Sequence, residues 1–135
     1  MTLVLFGALG GVIAIFTSWL ITGFLFHRFQ AETPGTWRPE GPRQYAAASA
    51  LDVFAGAAIG LLYWHTGGVH IGGGAGWLFR GALFGVLAWL ALALPVILSM
   101  ATFVKLHRGV VVGLLLDWLA VALLASIACA WAVRA

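Results

Sequence analysis

Charge is what this chain most lacks. Of its 135 residues, seven are Lys or Arg and four are Asp or Glu, 8% in all, too few for the solvated surface of a soluble domain. Cysteine is nearly absent too. Cys129 is the single one and lies in an apolar run, which excludes an internal disulfide and a cysteine-based metal centre. No nucleophile, base and orienting group occur in a pattern that suggests catalysis, so an enzyme is not expected. The four histidines fall at or beyond the ends of hydrophobic segments: His27 and His107 on one side, His65 and His70 on the other. Bis-histidine haem needs imidazoles facing each other from within neighbouring helices, so neither haem nor another cofactor is expected, and no metal.

What is present is apolar sequence, 63% of the chain, with a mean hydropathy of +1.06. Hydrophobic segments run over about residues 3–26, 46–64, 77–104 and 109–133. Each is long enough to cross a hydrocarbon core, which takes about 20 helical residues. Lipid offers no partner to backbone N–H and C=O groups, so all four are expected as helices. The reading is an all-α polytopic membrane protein: a compact four-helix transmembrane bundle, one domain over residues 1–135, with the lipid bilayer as its first partner. The opening segment has no basic flank and too long an apolar run for a cleaved signal, so it is read as a span.

Basic residues set the orientation. Arg28, Arg38, Arg43, Lys105 and Arg108 fall on the side of the 27–45 loop and the 105–108 turn, against Arg80 and Arg134 on the other. The positive-inside rule then places both termini outside, periplasmic if the membrane is a bacterial inner membrane. The same basic residues account for the high isoelectric point without nucleic acid, which is not expected as a partner. Tyr63, Trp64, Trp77 and Trp131 mark the outer interface and Trp37 and Tyr45 the inner one. The inner loop is broken by Pro34, Pro39 and Pro42, and the outer one, "TGGVHIGGGAG", is a glycine-dense connector without the strand or Lys-Ser/Thr pair of a phosphate loop.

Plotted at helical spacing, small and polar residues form a stripe on every span. Each stripe holds one G-x-x-x-G: Gly7 with Gly11, Gly56 with Gly60, Gly81 with Gly85, and Gly109 with Gly113. Such pairs let helix backbones approach closely. They are expected to pack the bundle or to face other subunits of a homo-oligomer or membrane complex. Pro95 removes one backbone hydrogen bond from the third span and predicts a kink.

Two carboxylates, Asp52 and Asp117, fall on these stripes at similar depth. An ionised group near mid-membrane costs about 2.5 to 3.5 kcal/mol to insert, so each needs a partner, water or a proton. Two roles stay open. One is a proton or cation site of Asp52 and Asp117 supported by Ser49, Ser99 and Thr102. The other is interhelical glue, through a shared proton or a snorkelling Lys105 or Arg108. The stretch "GFLFHRFQAETPGTWRPEGPRQY" resembles small bacterial inner-membrane proteins grouped as a domain of unknown function. They have four spans, a Trp-containing inner loop and a Tyr entering the second helix. The resemblance implies four helices and no activity. The first expectation is therefore a non-enzymatic packing or accessory subunit. The alternatives are a small proton- or cation-coupled transporter and a binder of lipid or another hydrophobic ligand.

Overall fold

The computed structural model describes residues 1–37 and 41–134. Arg38 and Pro39, counted above in the loop, lie outside the described residues. Among the described residues, four helices are long and apolar enough to cross a membrane: Thr2–Leu25, Pro42–His65, Trp77–Phe103 and Arg108–Ala132. The chain is a multi-pass membrane protein built as an all-α bundle.

In order, α1 (Thr2–Leu20) ends in a π turn, Ile21–Leu25, followed by the short α2 (His27–Ala31). Next, α3 (Pro42–His65) is the second span. The third span is two helices, α4 (Trp77–Ala88) and α5 (Leu94–Phe103), joined by a π turn at Trp89–Ala93. The fourth span is α6 (Arg108–Ala132).

Local chemistry sets the ends. Gly41 is extended and Pro42 takes the first turn of α3, where its missing N–H is no loss and its fixed φ suits a helix. The second span therefore begins a turn earlier than its hydropathy suggests. At its far end Gly67 adopts φ +64°, the left-handed conformation that lets the chain leave a helix at little steric cost. His107 caps α6, its Nδ1 accepting from the Gly109 N–H at 3.1 Å. The other ring nitrogen, Nε2, lies 3.3 Å from the Glu32 carboxylate, and the ring stacks on Phe29 at 4.8 Å. This clasp ties α2 to the start of α6.

The first, second and fourth spans form a tight group in which α1 packs on both α3 and α6. Glycine makes that possible. A Cβ at Gly7 would overlap the Gly56 carbonyl oxygen, and one at Gly11 would overlap that of Asp52. Gly10, on the neighbouring face of α1, lies against the backbone of Ala125 on α6. Ala14, next along, has no exposed surface. Where lipid gives no hydrophobic drive between helices, this closeness is what supplies van der Waals attraction.

The third span joins mainly through α6, with Gly81 seated against Ile127 and Ala130, and Gly85 against Ala122 and Leu123. Trp89 adds an interhelical bond, its indole N–H donating to the Leu115 carbonyl at 3.0 Å. The second and third spans meet at the end of the molecule that holds the termini, where Tyr63 packs edge-on against Phe84 at 4.8 Å. Tyr63 is only 1% exposed, so it belongs to the core and not to the interfacial aromatic belt. Cys129 is buried beside it and donates to the Leu3 carbonyl at 3.3 Å. The fourth glycine pair has a different role from the others: Gly109 and Gly113 receive the rings of Phe29 and Phe26 instead of a helix backbone.

Candidate functional site

Asp52 is the eleventh residue of α3 and Asp117 the tenth of α6, counted from Pro42 and Arg108. At 1.5 Å per residue both lie about 14 to 15 Å from the helix ends. The depths match, and the tight packing of α1, α3 and α6 brings the two side chains together. Both are buried, each 9% exposed, and they are electrostatic neighbours.

Between them stands Ser18. It continues the small-residue stripe of α1 one turn beyond Ala14, at the level where α3 and α6 converge. Its hydroxyl interacts with both carboxyl groups. It completes no well-aligned hydrogen bond, however, and Asp117 Oδ1 is a buried atom without a protein partner. None of the interactions of Asp52 or Asp117 involves Lys105 or Arg108, the basic residues considered as snorkelling partners. The node is thus two acids and a hydroxyl with polar capacity left over.

The supporting residues read from sequence divide in three ways. Ser49 is half-buried one turn from Asp52 on α3. Ser99 and Thr102 are exposed on α5, away from the node, and the Thr102 hydroxyl donates to the Leu98 carbonyl at 2.9 Å. They leave the site for a geometric reason. The π turn at Trp89–Ala93 places one extra residue in the third span, so positions beyond it move round by one relative to an unbroken α-helix. Ile97 is buried there instead. A π turn just before Pro95 absorbs the backbone N–H that proline lacks.

Ser18 is the residue that sequence reasoning left out of the site. Its signal was its place on the first helix's stripe, four residues after Ala14, and that stripe is the one facing both acids. Thr22, next on the same stripe, donates to the Ser18 carbonyl at 2.7 Å. Here too a π turn intervenes, at Ile21–Leu25.

Among the described residues no group of three or more His, Cys, Asp or Glu could hold a metal ion. Two carboxylates and a hydroxyl at this depth can hold a proton between them or neutralise one positive charge. The chain matches no protein-family model, and none of the curated proteins or solved structures is significantly similar to it.

Proposed function

We propose that this protein binds and moves a proton or a cation, with Asp52 and Asp117 as the coupled acidic pair and Ser18 as their shared hydroxyl. The observation that carries this reading is the convergence of two buried acids with no basic partner among the described residues. Two ionised carboxylates that are electrostatic neighbours repel by on the order of a few kcal/mol at an effective dielectric near 20. A membrane hydrogen bond returns only about 0.6 to 1.7 kcal/mol, so a serine alone does not offset that repulsion. Taking up one positive charge does. A passive ion pair is disfavoured by the same geometry, since none of the described basic residues is among the partners of either acid.

The setting proposed is a bacterial inner membrane with both termini outside, supported by five basic residues on the side of the 27–45 loop and 105–108 turn against two on the other. Proteoliposome flux tests the function. Proton or alkali-cation flux that is present in the wild type and lost in both Asp52→Asn and Asp117→Asn supports it. Equal flux in all three removes the carboxylates from any transport step.

A second reading, an accessory subunit in a homo-oligomer or larger membrane complex, draws support from the third span, which touches the rest of the bundle mainly on one side. It draws none from the glycine pairs, all four of which are filled within the chain. A single-chain mass after mild extraction from native membranes, with nothing copurifying, would count against it.

A further inference from the structure

Below the contact of Tyr63 with Phe84, the second and third spans separate and leave a groove of about 670 Å³ floored by α6. Its walls include Ala55 and Ala58 of α3 and Trp89 and Met100 of the third span, over a floor that includes Leu114 and Trp118. The polar atom of the Trp89 ring is already engaged by the Leu115 carbonyl, so the space is almost wholly apolar and suits hydrocarbon. From Ala88 to Met100 it runs along twelve residues of the third span, about 18 Å at 1.5 Å per residue. One leaflet of a hydrocarbon core is about 15 Å thick, half of about 30 Å. The groove thus has the length of an acyl chain.

Its two ends differ. Toward the termini the contact of Tyr63 with Phe84 closes it. Toward the 27–45 loop it stays open: Leu51 and Ala48 continue the α3 wall back from Ala55 at helical spacing, and both are exposed. Met100 lies three residues, about 4.5 Å, from the end of α5, and the chain then turns through Lys105 to Arg108, the first residue of α6. A turn that links wall to floor lies at the mouth. Lys105 and Arg108 are both exposed there, as is Arg43 near the start of α3. Among the described residues Glu32 is the one acid at this end, and it lies against His107. The mouth is therefore basic where the interior is apolar.

We infer that this groove binds an anionic diacyl phospholipid, with one acyl chain between α3 and the third span and the phosphate at Lys105 and Arg108. Shape selects the chain and charge selects the headgroup. A lipid seated this way keeps its headgroup at the water interface beyond the apolar walls, while the end of its chain points toward the closed end under Tyr63. Each basic residue near a membrane surface favours an anionic lipid by about fivefold in affinity, and a headgroup with no net charge gains little from it. Asp52 and Asp117 take no part, since neither is among the groove's walls.

Native mass spectrometry tests this on the full chain released from vesicles of equimolar phosphatidylglycerol and phosphatidylcholine with identical acyl chains. One phosphatidylglycerol should stay bound to the monomer, preferred over phosphatidylcholine by about tenfold or more, as expected for two basic contacts. Lys105→Gln combined with Arg108→Gln should abolish the preference and leave one lipid of either kind bound, whereas Lys105→Arg should keep the preference. Ala58→Phe, which fills the groove, should lose the lipid with helix content unchanged by circular dichroism. If that variant loses helix content, the smaller Ala58→Leu should still weaken retention. Equal retention of the two lipids by the wild type would overturn the inference and leave a groove that takes any chain. Phosphatidylglycerol held as firmly by both Ala58 variants would overturn it too, placing the lipid on the basic surface alone. So would a dimer that closes the groove and is broken by Ala58→Phe.

Discussion

The two sides of α3 differ sharply. On one side Gly56 and Gly60 meet α1 backbone against backbone, so closely that no Cβ fits. On the other, Ala55 and Ala58 look across an open groove at the third span. The helix is the same and the residues alternate along it. Closure thus depends on what each side lacks. Where the Cβ is missing on both partners, the backbones close and bury a polar node. Where alanine faces a span re-registered by a π turn, they stay apart.

Breaking the closed side should have the largest effect. Gly56→Leu forces a side chain into the Gly7 carbonyl and should destabilise the protein by about 3 kcal/mol, the upper end for overpacking, in a denaturant titration of the purified protein. Stability near wild type would show that the seam is not close-packed.

The π turn offers the next test. Deleting Leu90 removes the extra residue and rotates α5, which should cost about 1 to 2 kcal/mol as Ile97 leaves its buried position. In a Cys129→Ala background, Ser99→Cys should react readily with a lipid-soluble thiol reagent, and the deletion should suppress that reaction. Equal labelling with and without the deletion would place the outward position of Ser99 on some other cause.

Asp52→Asn keeps shape and hydrogen-bonding capacity, so stability should change by no more than about 1 kcal/mol. A larger loss would favour glue over a site. The smallest effect is expected two residues beyond Gly56, where Ala58→Leu projects into the groove and should shift stability by about 0.5 kcal/mol or less. If it matches Gly56→Leu instead, the contrast between the two sides is lost.

The four spans were legible because lipid permits only one backbone solution over about 20 apolar residues. The glycine seams were legible as stripes, and Asp52 and Asp117 as a pair at one depth. What sequence could not show follows from the two π turns. A helical wheel assumes one register throughout, and one extra residue after Trp89 turns Ser99 and Thr102 outward. Nor does spacing reveal which helices become neighbours. Gly109 and Gly113 look like the other pairs, yet they hold the rings of Phe29 and Phe26, because α2 folds back on the start of α6. Ser18 was visible on its stripe, but its meeting with both acids depends on α1 lying between α3 and α6.

The central claim is that Asp52 and Asp117 act as one site. Infrared spectroscopy of the purified protein, wild type and the two single Asp→Asn variants, tests it most directly. A shared proton predicts one carboxylic acid band in the wild type that either substitution removes. Two separate bands, each lost only when its own aspartate is replaced, would contradict it and return both residues to independent roles in packing.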